Sequence, residues 1–161
     1  LGHKDIAIIT GNFEHYTSRG RLKGFLDAMK EADLIPVDEH IQCGDYSIDG
    51  GYEAMLRIWD TKKRPTAIFI SNYDMTIGAY LAINYLNLKI PDDISVIGFD
   101  NFPLANVVNP PLSFAEQPTN EMGTEAGKLL YKRICGDYSD YPQTIMHKPT
   151  MYYKESIRKI N

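Results

Sequence analysis

The chain has two cysteines, one tryptophan, no surplus of basic residues and no long apolar run, and each scarcity removes a class of function. Cys43 and Cys135 are far apart, with no His or Cys at ligand spacing around either. A metal site is therefore not expected, and both thiols read as reduced and partly buried. Lys and Arg number 17 against 21 Asp and Glu, a net charge of −4. Affinity for phosphate backbones comes from clustered cations and no basic patch is visible, so this chain alone is not expected to bind nucleic acid. No apolar stretch approaches the roughly 20 residues of a membrane span, and no charged, apolar, small-residue leader is present. The chain reads as cytoplasmic, without membrane contact. Catalytic patterns are missing as well. No G-x-S-x-G elbow occurs, the four His fall into no metal spacing, and Gly11-Asn12-Phe13 does not open a G-x-G-x-x-G phosphate loop. With no paired nucleophile and base, neither enzymatic chemistry nor a cofactor is expected.

What is present is an alternation of short apolar runs and helix-spaced segments, the pattern of an α/β fold with a parallel sheet flanked by helices. At 161 residues the chain holds one core and is too short for two ordinary domains. Strands are expected at residues 6–10, 41–43, 67–71, 95–99 and 113–116. Helices are expected at 18–32, with Leu22, Phe25, Met29 and Ala32 on one face, at 48–61, at 74–86 and at 120–135. Gly50-Gly51 reads as a loop ahead of Tyr52, Asn120 as the cap of the last helix and Gly136 as its stop. Residues 144–155 read as extended and add edge strands. The segment from Arg64 to Asn101 is the most informative. Its two buried strands flank one helix and end in polar groups, Asn72 after the first and Gly98-Phe99-Asp100-Asn101 at the second. A right-handed crossover puts both tips on one edge of the sheet, where doubly wound folds bind small molecules.

RPTAIF, an Asn-containing turn, M-x-x-G-A, IPDDISVIGFDN, and PPL followed by a QP pair occur in this order. The run is flanked by LGHKDIAIITG, RLKGFLDAM and GDYSIDGGYEAM before it, and by EMGTEAGKLL after it. This resembles the effector-binding core of the LacI/GalR family of bacterial transcriptional regulators over nearly the whole chain. One departure is Asn72-Tyr73-Asp74, where the family often has Asn-Asp. The resemblance implies a Rossmann-like or flavodoxin-like subdomain of a two-lobed, periplasmic-binding-protein-like core. Residues 1–161 would be the carboxyl-terminal subdomain, with helix 120–135 belonging to the other lobe and the DNA-binding domain outside the chain. Leu1-Gly2-His3 agrees with this, having the character of a helix end with Gly past the last turn.

Candidate site residues follow from both readings. Arg19, Arg21 and Lys23 crowd the first turns of a helix, where cations are mildly unfavourable, so each needs compensation. Arg21 lies one turn before Phe25 and can point inward. On helix physics it is equally a surface residue with a local carboxylate, whereas the resemblance places it on the effector, where its planar fork suits paired sugar hydroxyls or a carboxylate or phosphate. Asp100, at a strand tip, can accept two sugar hydroxyls or cap a turn. Asn72 sits at the neighbouring tip. The resemblance puts Tyr46 where an aromatic stacks on the effector ring, against a plain packing role. Thr17 and His15 occupy a variable loop that contacts ligand in some family members. The helix at 74–86 is apolar beyond a single stripe, as if packed on the sheet and on a partner. The resemblance assigns Met75, Ile77, Tyr80, Leu81, Val107 and Val108 to a homodimer interface, against a helix lying wholly within one domain. The expected function is sugar sensing and dimerisation within a repressor, reaching operator DNA only through the absent domain. The alternatives are a periplasmic sugar-binding protein of a transporter and, more weakly, a flavodoxin-like enzyme.

Overall fold

The computed structural model describes residues 1–100 and 103–160; Asn101, expected to help close the second strand, lies outside them. Ten main elements follow in order: β1 (Ile6–Thr10), α1 (Tyr16–Glu31), β2 (Ile41–Cys43), α2 (Ile48–Trp59), β3 (Ala67–Ile70), α3 (Tyr73–Tyr85), β4 (Ser95–Phe99), β5 (Ser113–Glu116), α4 (Thr119–Ile134) and β6 (Thr150–Tyr152). Short 3-10 turns stand at Asp38–His40 and Pro103–Asn106. The sheet order is β2-β1-β3-β4-β5-β6. The first five strands are parallel and β6 is antiparallel to β5, so the extended segment near the carboxyl terminus contributes one edge strand.

The strands alternate between two faces. Ala7, Ile9, Ile68, Ile70, Val96 and Phe114 join one apolar cluster with Ala54, Met55 and Ile58 of α2 and Met75, Ala79, Ala82 and Ile83 of α3. Ile8 is buried outside that cluster, on the face toward which α1 turns. The chain runs from β1 outward to β2 and then back across to β3, so right-handed crossovers place α1 on one face and α2 and α3 on the other. Successive connections therefore part between β1 and β3, the switch point where open parallel sheets leave a crevice at their carboxyl ends.

Two glycines set the α2–α3 packing. A Cβ on Gly78 would meet the Ile48 carbonyl oxygen at 1.9 Å, and one on Gly51 would meet the Met75 carbonyl oxygen at 2.4 Å. Gly50 and Gly51 thus lie inside α2, not in a loop before it. The absent side chains of Gly51 and Gly78 let the α2 and α3 backbones touch, while Gly50 lets α2 lie against the Gly44 carbonyl, 2.0 Å from where a Cβ would sit. The buried positions of α2 are Gly51, Ala54, Met55 and Ile58, leaving Tyr52, Leu56 and Trp59 half-buried. In α1, Met29 is buried and Leu22 and Phe25 half-buried, whereas Ala32 is exposed and ends the helix as its cap. Helix α4 begins at Thr119 behind Pro118, without a side-chain cap. Asn120 is inside the first turn, so it does not cap, and none of the helix's residues is buried.

The carboxyl-terminal segment is sewn into the sheet by Ser156. Its fully buried hydroxyl donates to the Val96 carbonyl at 2.7 Å and accepts from the Ser113 amide at 2.7 Å, while its carbonyl accepts from the Val96 amide at 2.8 Å. Cys43 is half-buried, Cys135 is exposed, and both are free.

Candidate functional site

The crevice between the β1 and β3 connections gathers the expected residues at one edge of the sheet. Tyr46 comes from the β2–α2 turn, where Asp45 and Tyr46 both take left-handed backbone, φ 50° and 67°. Asp45 Oδ1 accepts from the Ser47 hydroxyl at 2.6 Å, and the Ser47 hydroxyl in turn accepts from the Gly50 amide at 2.8 Å and caps α2. This turn throws the Tyr46 ring across Gly11, where a Cβ would sit 2.2 Å from the ring carbons. Its hydroxyl lies 2.9 Å from Thr17 Oγ1 and 2.6 Å from the buried Ser18 Oγ. Thr17 thus holds Tyr46. His15 is exposed and meets the Tyr46 ring edge-on, with centroids 5.7 Å apart.

Arg21 does point inward. Its guanidinium lies 3.9 Å from the centre of the Phe99 ring and donates to the Ser71 carbonyl at the β3 tip, so one side chain bridges α1, β3 and β4. The neighbouring cations are also compensated. Arg19 donates to the carbonyls of Phe13 at 3.2 Å and Glu14 at 2.6 Å, and Lys23 pairs with Asp27 one turn on. Asn72 uses its side-chain oxygen to cap α3, accepting from the Met75 amide at 2.9 Å. It faces the crevice from a helix N-terminus, with its Oδ1 committed to the helix.

Asp100 adopts φ 75° directly after β4, a conformation uncommon outside glycine that recurs at binding sites. Its amide donates to the Ala115 carbonyl at 2.8 Å, and its Oδ1 accepts from Gln117 Nε2 at 2.7 Å. Gln117 and Phe99 were absent from the expected site. The signal for Gln117 was the QP pair just after β5, on the same edge as Asp100. Beside these groups lies a cavity of about 400 Å³. It is lined by Tyr16, Phe99, Gln117, Met122, Ile145 and Met146 among others and is large enough for a small cyclic metabolite. Among the described residues no group of three or more His, Cys, Asp or Glu could hold a metal ion, and no helix is long and apolar enough to cross a membrane.

The residues expected at a subunit contact divide. Met75 is 0 % exposed and lies in the core against Gly44 and Gly51; α3 turns it toward the sheet, so it has no surface to offer a partner. Ile77 and Val108 are half-buried, while Leu81 and Val107 are 51 % and 73 % exposed. Ile77, Leu81 and Tyr85 follow at four-residue steps and form an outward stripe on α3, ending in a Tyr85 that is 69 % exposed. Tyr80 is half-buried. Its hydroxyl is enclosed without a hydrogen-bond partner among the described residues, and burial raises its pKa.

The periplasmic binding protein-like domain family matches residues 1–157. The HTH-type transcriptional repressor PurR of Proteus mirabilis (strain HI4320) is 40 % identical over 156 residues, 97 % of this chain and 46 % of that protein. The PurR of Actinobacillus pleuropneumoniae serotype 3 (strain JL03) is 37 % identical over 161 residues, 99 % of this chain and 48 % of its own. The chain thus spans about half the length of these curated relatives. Among solved structures, a transcriptional regulator LacI from Bacillus cereus subsp. cytotoxis NVH 391-98 superposes with a TM-score of 0.93 at 28 % identity, over 99 % of this chain and 56 % of that one. The regulator CelR in complex with cellobiose superposes with a TM-score of 0.90 at 28 % identity, over 96 % and 47 %. The match over residues 1–157 places the chain in the periplasmic binding protein-like domain family, and over nearly its whole length it is similar to transcriptional regulators of the LacI type.

Proposed function

We propose that the chain is the effector-sensing and dimer-forming part of a cytoplasmic transcriptional repressor. It takes a sugar or sugar derivative between this subdomain and a second lobe. Convergence on one crevice carries the reading: Arg21 and Asp100 supply opposite charges, Tyr46 and Phe99 supply ring faces, and Asn72 supplies a helix N-terminus. Such a set matches a cyclic ligand with hydroxyls on its rim and an apolar face. The CelR–cellobiose likeness supports the sugar class. Helix α4, with no buried residue, supports a second lobe, for which it offers a face. The Ile77-Leu81-Tyr85 stripe with Val107 supports a homodimer contact.

In this reading the effector acts by binding one lobe arrangement better than another, which shifts dimer geometry and operator affinity in a separate DNA-binding domain. No step is enzymatic. The test is thermal shift and calorimetry of the full-length protein against hexoses, pentoses and cellobiose, with nucleobases as flat-ring controls. A saturable sugar response that Asp100→Ala and Arg21→Ala abolish is the expected result. A response to a nucleobase alone overturns the sugar class, and no response to any compound overturns the effector site.

A further inference from the structure

Gln117 is the first residue off the sheet after β5, followed at once by Pro118 and helix α4. Its side chain turns back across the sheet edge and gives its amide to Asp100 Oδ1 at 2.7 Å. Two further bonds fix the geometry of this contact. The Asp100 amide donates to the Ala115 carbonyl at 2.8 Å, and the Thr119 amide donates to the Gln117 carbonyl at 2.8 Å. The strand tip that carries the carboxylate is therefore tied to the segment that leaves the subdomain at both the backbone and the side-chain level.

The left-handed Asp100 needs such over-determination, since a residue in that region stays there only when its surroundings hold it. A hydrogen bond to an ionised acceptor is among the stronger neutral-donor contacts, and losing it frees the carboxylate to rotate. Phe99 and Gln117 also share the wall of the 400 Å³ cavity. A molecule entering that cavity thus meets Gln117, the side chain that holds the Asp100 carboxylate.

We infer that Gln117 is a positioning residue that aims the Asp100 carboxylate at the effector and passes occupancy of that carboxylate to the α4 crossover. The inference rests on the effector reading above. When a hydroxyl engages the carboxylate, the tether shortens or lengthens in response, and the crossover segment, one residue away in the chain, moves with it. Two quantities then depend on Gln117: effector affinity, and lobe closure at saturating effector.

The experiment uses the full-length protein, with the hexose, pentose, cellobiose and nucleobase panel as probes. The variants are Gln117→Met, which keeps length and removes the donor, Gln117→Glu, which opposes two carboxylates, and Asp100→Ala. Calorimetry reads affinity and small-angle scattering reads closure. Gln117→Met is expected to weaken the responding compound at least about tenfold, and to leave the saturated protein less closed than wild type. Its unfolding temperature without compound should stay within about 2 °C, as for a half-exposed polar position. Gln117→Glu should abolish the response. Equal affinity and equal closure in Gln117→Met, with the response lost in Asp100→Ala, overturns the role of Gln117 and leaves the effector site standing. Failure of every compound to bind the wild type overturns both.

Discussion

Gly78→Ala and Gly24→Ala make the same chemical change in two helices and should move stability in opposite directions. In α3, the new Cβ would lie 1.9 Å from the Ile48 carbonyl oxygen and 2.6 Å from the Tyr52 amide nitrogen. Both obstacles are backbone, so no side-chain rotation relieves them. Reaching an ordinary contact of about 3.5 Å needs α2 and α3 to part by roughly 1.5 Å. Parting would spoil the packing of Ala54, Met55, Met75 and Ala79, all 0 % exposed. Overpacking of this kind costs about 3 kcal/mol or more where backbones collide, offset by about 1 kcal/mol of improved helix propensity. The net loss of about 2–3 kcal/mol corresponds to a fall in Tm of about 4–12 °C for a chain of this size. In α1, a Cβ on Gly24 meets nothing within 4 Å. The propensity gain of about 1 kcal/mol is then uncancelled, and Tm should rise by about 2–4 °C. Circular dichroism melts at 222 nm, backed by urea midpoints, check both. A Gly78→Ala protein that melts with or above the wild type would refute the claim that these backbones are in contact.

Gly127→Ala offers a related test of the proposed second lobe, because a Cβ there also meets nothing within 4 Å. The isolated 161-residue chain should gain about 1 kcal/mol, and the full-length protein should lose that gain where the lobe packs on α4; differential scanning calorimetry of both would show it. Ser156→Ala strips the hydroxyl that serves the Val96 carbonyl and the Ser113 amide. It should cost about 2–4 kcal/mol by leaving buried groups unpaired, read as a lower urea midpoint at unchanged slope. Tyr80→Phe removes an enclosed hydroxyl without a partner among the described residues and should stabilise by about 1 kcal/mol. It should also flatten the loss of stability above pH 10, since a raised phenol pKa contributes stability that is present below the unfolded value and lost as pH rises past it. Hydrogen bonds from Lys132 and then Arg133 hold the Asp140 carboxyl down to about 2. The order this lends to residues 133–141 is present above the usual carboxylate range and is lost as pH falls from about 4 through about 2. Amide exchange in that segment should rise on acidification, and Asp140→Asn should erase the dependence.

The strands were legible almost to the residue, for a physical reason. Each is a short apolar run bounded by Pro, Gly or a polar tip, and parallel strands buried on both faces leave little else for such runs to be. Helix starts were less legible. Helix α1 begins at Tyr16 behind His15, which makes no side-chain cap bond, and α4 begins behind Pro118. Neither start carries the Ser, Thr, Asp or Asn signal, so Asn120 drew the boundary into the helix. Gly50-Gly51 and Met75 misled because their roles are tertiary. Only the facing elements show that Gly51 permits close approach to α3 and Gly50 to the Gly44 turn, and that the Met lies in the core between them. At the candidate site, the position of the residues was legible and their hydrogen-bond commitments were not. Asn72, Asp100, Arg21 and Tyr46 reach the same edge. The use of Asn72 as a cap, of Thr17 as a hold on Tyr46 and of Gln117 as a partner of Asp100 depends on distances between residues as far as 29 positions apart.

Helix α3 is capped by Asn72 in the crevice and ends at Tyr85 on the outer surface. Its 13 residues make a rod of about 20 Å whose inner side is core from end to end. A substitution that reshapes the crevice through the first turn of this rod also reorients the outward stripe, and one that suits a new surface partner reaches back to the crevice. With the proposed effector in the crevice and the proposed partner on the stripe, ligand preference and subunit pairing are then coupled, and drift in one constrains the other. Paralogues that change effector class should carry compensating changes at the positions of Leu81 and Tyr85.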